Sequence, residues 1–240
     1  MSKEQLYKLA TVAAAEGQYD AAVDLFQKVI EIDPKFAPAY NALGLINQSF
    51  EQGNIDAAIR YFTLATNFAP DYSESWSNLG RAYYSQGRFR EAEQAFLKSL
   101  QIKPAQAEIE FALGWVYLLG QSRPEKAITY FDKALVVLDN PMIYYGRGLA
   151  NLMLGDRFKV LDDVTLLRRN KREEQADRLE KMVRENVRLT STPGMPLITG
   201  APGDEASLFD EQLKDLESKG FKTDAQEGIK VRLRGALPVN

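Results

Sequence analysis

The side chains that most often do chemistry near neutral pH are missing, for the chain has no histidine and no cysteine. Without histidine a Ser-His-Asp triad cannot be assembled. Without cysteine there are no disulfides, thiolate zinc sites or thiol nucleophiles. Carboxylates, lysines and tyrosines are what is left for acid–base work. Asp162 and Asp163 are adjacent but lack the spacing of a calcium loop. GRGLAN, residues 146–151, carries part of a phosphate-binding glycine pattern. It lies within a helical run with no strand before it, and reads as close helix packing. A GxxxxGK[ST] stretch is absent. Asn47-Gln48-Ser49 matches a glycosylation acceptor but sits at a helix end, and is discounted. The run RRNKR, 168–172, has the charge to touch phosphates. Glu173 and Glu174 follow at once, so it reads as a solvated helix junction. Nothing asks for a metal or cofactor, and the expectation is a protein that is not an enzyme.

The net charge of −3 over 240 residues speaks against a dedicated nucleic-acid binder, which shows a basic excess. The first residues, MSKEQLYKLATVAAAEG, have helically spaced apolar positions broken by Lys8 and Glu16, which is not a signal-peptide pattern. No apolar run approaches the ~20 residues that cross a bilayer. No membrane insertion is expected, and the cytoplasm is the default compartment.

The elements that position any binding residues are repeats. Pro34, Pro70 and Pro104 each close an apolar-periodic run: IEIDP, TNFAP, LQIKP. Before Pro104 stand Trp76, Leu79, Gly80, Tyr83, Gly87, Ala92 and Phe96. Before Pro70 stand Tyr40, Leu43, Gly44, Gly53, Ala58 and Phe62. Before Pro34 stand Leu6, Leu9, Ala10, Gly17, Ala22 and Phe26. This pattern resembles the tetratricopeptide repeat (TPR), whose period is about 34 residues. Five units follow: 3–36, 37–72, 73–106, 107–140 and 141–170. The fourth keeps Leu113, Gly114, Tyr117, Ala127 and Phe131, but carries one extra residue before Ala127. The fifth is degraded, with Val160 and Val164 in place of Ala and Phe.

The resemblance implies an all-α fold, a right-handed α-solenoid of helix-turn-helix units. The residue types agree with it. One helix pair cannot bury its own apolar face, so neighbours must stack. Gly80 and Ala92 are small where two helices of a pair cross, and Phe96 and Tyr83 are expected to fill the space between units. Gly17, Gly53 and Gly87 fall in the turns, and Ser122 with Glu125 reads as a capping box. The longer turn SFEQGN, 49–54, reads as a loop extension.

Beyond the repeats, 171–189 reads as a cap helix with Ala176, Leu179, Met182 and Val183 on one side. Residues 190–203, with three prolines and three glycines, read as a linker. A mobile tail, 204–240, is expected to hold an acidic amphipathic helix at 204–219, striped by Leu208, Phe209, Leu213 and Leu216. GIKVRLRG, 228–235, suits a short strand or extended peptide. A 16-residue amphipathic helix is marginal alone, so the tail either docks on this chain or engages another.

The resemblance also implies a concave groove lined by the first helix of each unit, which holds a peptide or amphipathic helix of another protein. Its lining positions give a polar half with Tyr7, Asn41, Asn78, Arg81 and Tyr84. An apolar half follows, with Phe111, Trp115, Leu118, Tyr145 and Leu149. Chaperone-tail binders of the family grip a carboxylate with basic groups at set positions. Only Asn78 fits here, where Glu108 and Ala112 replace the cations, so that role is rejected. The apolar half is either a partner surface or core covered by the following helices. The reading is a non-enzymatic scaffold or adaptor that binds another protein. The alternative is a self-assembling structural protein whose tail docks in its own or a neighbour's groove, giving a homo-oligomer.

Overall fold

The computed structural model describes residues 1–49, 54–185, 188–189 and 230–231. The tail helix at 204–219, the linker at 190–203 and most of the SFEQGN turn lie outside these residues. The described chain is all-α apart from one two-residue strand pair. It divides into two compact units, Met1–Pro104 and a second from Ala105 onward.

The first unit holds α1 (Lys3–Ala15), α2 (Tyr19–Ile32), α3 (Ala37–Ser49), α4 (Ile55–Phe68), α5 (Ser73–Ser85) and α6 (Phe89–Ile102). Each helix packs on the next, and α3 also touches α1 and α5. Local chemistry sets the ends. Ser2 and Gln5 form a reciprocal capping box at the start of α1. Asn54 caps α4 by accepting from the Ala57 N–H at 2.9 Å. Gly17 and Gly87 take φ of 77° and 69°. That left-handed step lets the N–H groups of Gln18 and Arg88 reach back to the carbonyls of Ala13 and Tyr83, both at 2.9 Å.

The marker residues turn out to be physically coupled. The Tyr40 hydroxyl donates to the Pro34 carbonyl at 3.0 Å, and the Trp76 indole N–H to the Pro70 carbonyl at 2.9 Å. In these two units the bulky residue thus fastens the proline turn that precedes it. The glycines answer the phenylalanines. A Cβ on Gly44 would stand 2.5 Å from the Phe62 ring, and one on Gly80 2.6 Å from the Phe96 ring. Phe96 therefore fills the crossing within its own pair as well as the core. Phe26, Phe62 and Phe96 are fully buried.

The second unit holds α7 (Ala107–Trp115), a π turn (Val116–Gly120), α8 (Pro124–Leu135), α9 (Pro141–Leu154), α10 (Arg157–Arg169) and α11 (Glu173–Arg184). The same device recurs, for a Cβ on Gly114 would lie 2.4 Å from the Phe131 ring. The extra residue of this repeat is absorbed by the π turn, which holds more backbone per turn than an α turn. The Gly114–Phe131 contact survives on one side of it and helix α8 on the other. The helix starts one residue later than a capping box at Ser122 and Glu125 implies, with Arg123 at the N-cap position. Ser122 adopts φ of 55°, and α8 starts with Pro124 at its first turn and no side-chain cap. Asn140 caps α9 instead, accepting from the Met142 N–H at 2.9 Å.

GRGLAN lies inside α9. A Cβ on Gly146 would meet the Phe131 ring at 2.6 Å, and one on Gly148 a Leu179 methyl at 2.6 Å. Helix α11 packs on α9 and α10 through buried Ala176 and Leu179. Arg168 fastens it, donating to Asp177 at 2.9 Å and Glu180 at 2.6 Å. The basic run is thus partly spent on bonds within the chain. Strand β1 (Arg188–Leu189) runs against α9 and pairs in parallel with β2 (Lys230–Val231).

Candidate functional site

In the first unit three helices present one face: Tyr7 from α1, Asn41 from α3, and Asn78 and Arg81 from α5. Glu74 joins them, because residues four and seven apart share a helix face. Asn41 and Asn78 are buried. The Asn78 amide donates to the Asn41 Oδ1 at 3.0 Å. The Asn41 amide in turn reaches the Glu74 carboxylate at 3.5 Å. The other Glu74 oxygen accepts from the Tyr72 hydroxyl at 3.1 Å. The two asparagines therefore satisfy each other and aim one amide at Glu74, a role the sequence alone does not reveal.

Tyr7 is half-buried, its ring edge-on to Phe36 at 5.2 Å and tilted on Phe26 at 5.6 Å. Burial, then the charge of Glu74, pushes the Tyr7 and Tyr72 hydroxyls above the usual phenol range. Both stay protonated and available as donors at neutral pH. Arg81 is exposed. Tyr84 is half-buried, edge-on to Phe89 at 5.8 Å. The face can thus offer a guanidinium, a carboxylate and aromatic surface, and it carries no arrangement of nucleophile and base.

The five apolar residues sit differently. Trp115, Leu118, Tyr145 and Leu149 are buried within the second unit, and only Phe111 is half-buried. The Trp115 ring meets Phe131 edge-on at 5.5 Å, and Phe111 at 6.4 Å. Gly146 admits it, since a Cβ there would stand 3.0 Å from the indole. Leu118 lies in the π turn, and α9, which carries Tyr145 and Leu149, is flanked by α8, α10, α11 and β1. Of the two readings the sequence leaves for the apolar half, these four side chains follow that of core covered by neighbouring helices. The lining positions of a repeat are open only where nothing folds over the first helices.

The second unit holds a buried ionic group that the sequence reading passed over. Asp163 of α10 is 1% exposed. Arg147 of α9 donates to its Oδ1 from Nη2 at 2.7 Å and from Nε at 3.1 Å. The third donor goes to Asp132 of α8 at 2.7 Å. Asn151 approaches Asp163 at 3.5 Å. Burial pushes the Asp163 carboxyl above its usual range, against the pull of Arg147. The signal in the sequence is the setting of Asp163 among Val160, Val164 and Leu167, all buried.

Two family models match. One described as tetratricopeptide repeat covers residues 43–107, and one described as TPR repeat covers residues 12–49. Residues 12–107 of the chain carry tetratricopeptide repeats. The small glutamine-rich tetratricopeptide repeat-containing protein 2 of Mycosarcoma maydis is 32% identical over 104 residues, which are 42% of this chain and 28% of that protein. The crystal structure of MamA superposes with a TM-score of 0.59 at 20% identity, covering 73% of this chain and 96% of that one. PilF of Pseudomonas aeruginosa gives 0.58 at 20% identity, covering 76% and 90%. The likeness to both structures is one of fold. The TPR chain matches less than a third of the curated relative's length. TPR folds serve in general as protein–protein interaction scaffolds. No helix among the described residues is long and apolar enough to cross a membrane.

Proposed function

We propose that this TPR protein is a non-catalytic adaptor, and that the first unit's face carrying Tyr7, Glu74, Arg81 and Tyr84 holds a peptide or amphipathic helix of another protein. The observation that carries this reading is the contrast between the two sets of lining residues. In the first unit Glu74 and Arg81 are exposed and Tyr7 and Tyr84 half-buried, with Asn41 and Asn78 buried beneath them; in the second, four of the five apolar ones are buried. Asn41 and Asn78 act as supports that set the direction of Glu74, and Arg81 and Tyr84 are the contact residues. A photo-crosslinking benzoylphenylalanine in place of Arg81 is expected to capture a partner chain.

A second reading has one observation in its favour. Strand β1 lies against α9, and β2 returns to pair with it, so part of the chain's own C-terminal region already occupies α9. On this reading the tail docks in cis, or on a neighbouring copy. Light scattering of the full chain and of residues 1–189 distinguishes the cases. A mass per particle that falls to the monomer on truncation supports exchange between copies. A monomer in both forms, with newly exposed apolar surface after truncation, supports docking in cis. No change in either sinks tail docking.

A further inference from the structure

The Glu74 carboxylate is held by neutral donors alone among the described residues, Tyr72 on one oxygen and Asn41 on the other. Such donors fix its direction and leave its full charge and part of its acceptor capacity unused. Asn41 is itself locked by Asn78 at 3.0 Å, so the carboxylate is oriented from beneath. Beside it lie the half-buried rings of Tyr7, packed edge-on to Phe36, and Tyr72. An aromatic face next to an uncompensated carboxylate attracts a cation through the ring quadrupole and the charge together. The described chain makes this combination elsewhere: the Lys3 ammonium stands 5.2 Å over the Phe36 ring and is paired with Asp33, and the Arg88 guanidinium stands 4.3 Å over the Tyr83 ring and is paired with Glu91. At Glu74 the same elements are assembled and the cation is missing from the described chain.

We propose that Tyr7, Asn41, Tyr72 and Glu74 form a subsite for one basic side chain, lysine or arginine, of the bound peptide. The proposal rests on the peptide-binding reading of the first unit. It assigns that reading a chemical preference opposite to the carboxylate grip rejected from the sequence. A single carboxylate with two neutral donors is too poor in ligands for a divalent metal, which takes six or more oxygens when hard, whereas one ammonium or guanidinium is matched by it. The subsite also gives the buried Asn41–Asn78 pair a purpose beyond packing, because two aliphatic residues would fill that space without aiming a donor at Glu74.

The test is parallel panning of a random dodecamer phage library on the full chain and on Glu74→Gln. Glutamine keeps the shape and one acceptor oxygen, removes the charge and turns the other oxygen into an amide donor. The wild type is expected to enrich peptides with lysine or arginine at one fixed position. A synthetic lead should bind Glu74→Gln about tenfold or more weakly, as loss of a charge-assisted pair implies. Replacing its basic residue by norleucine or citrulline should weaken binding to the wild type alike, with little further loss on Glu74→Gln. Leads without a fixed basic residue, or leads that bind both proteins equally, overturn the subsite and leave peptide binding standing. Failure to enrich any peptide overturns both.

Discussion

Replacing Arg147 by Met should cost the folded second unit about 3–5 kcal/mol at neutral pH, the range for breaking a buried ion pair from one side. Two of its three donor groups serve Asp163, which is 1% exposed. Once the cation is gone, the carboxylate keeps only the 3.5 Å approach of Asn151. It will then take up a proton rather than stay charged. The pH dependence follows in sign. Burial already raises the Asp163 carboxyl in the folded chain, and losing Arg147 raises it further, above its value in the unfolded chain. A raised acid binds more protons folded than unfolded, so stability falls as pH rises through the window between the two values. The variant should therefore be closest to wild type at low pH, with the gap widening toward neutrality. Arg147→Met with Asp163→Leu should recover much of the loss, because apolar groups of similar size replace both charges. Urea unfolding at two pH values, read from Trp115 in a Trp76→Phe background, measures this. An Arg147→Met deficit independent of pH would mean that the guanidinium stem, not the charge, is what matters.

Phe96→Ala should cost the first unit about 3–5 kcal/mol, since a fully buried ring is removed from a packed crossing. The sharper expectation concerns Gly80. All three atoms nearest to a Cβ at Gly80 belong to the Phe96 ring, the first at 2.6 Å. Gly80→Ala alone should destabilise by about 1–3 kcal/mol through overpacking. In the Phe96→Ala background the obstacle is gone, and alanine is the better helix former by about 1 kcal/mol. The same substitution should then be neutral or stabilising. A double-mutant cycle by urea denaturation reads this reversal, and equal effects of Gly80→Ala in both backgrounds would show that the glycine answers to something other than the ring.

The repeat was legible in the sequence because its markers are pairwise contacts. Tyr40 with Pro34, Trp76 with Pro70 and Gly80 with Phe96 each join a residue type to a partner at fixed separation, so the spacing carries the packing. Where the spacing slips, legibility fails. The extra residue before Ala127 was visible, but not that helix α7 takes it up as a π turn; the capping box read from Ser122 and Glu125 gave way to a start at Pro124. The face proposed for binding was legible only in outline. Tyr7, Arg81 and Tyr84 remain accessible or half-buried as their positions imply. Trp115, Leu118, Tyr145 and Leu149 do not, because their exposure depends on what α9, α10 and α11 cover, which helical spacing does not encode. The sequence places Glu74 at a lining position, but its contact with Asn41 and the Arg147–Asp163 pair escaped for another reason. Each gains its meaning from a residue on a different helix, Asn41 in one case and α9 against α10 in the other.

The most direct measurement of the account is photo-crosslinking from two positions of the full chain in cells. Benzoylphenylalanine replaces Arg81, exposed on α5, or Gln94, exposed on α6. Mass spectrometry then identifies the captured chains and the residues joined. Adducts to a partner protein from the Arg81 position, joined within one short segment of that partner and absent from the Gln94 position, are the predicted result. Equal adducts from both positions, or none from Arg81, would contradict the assignment of partner binding to this face.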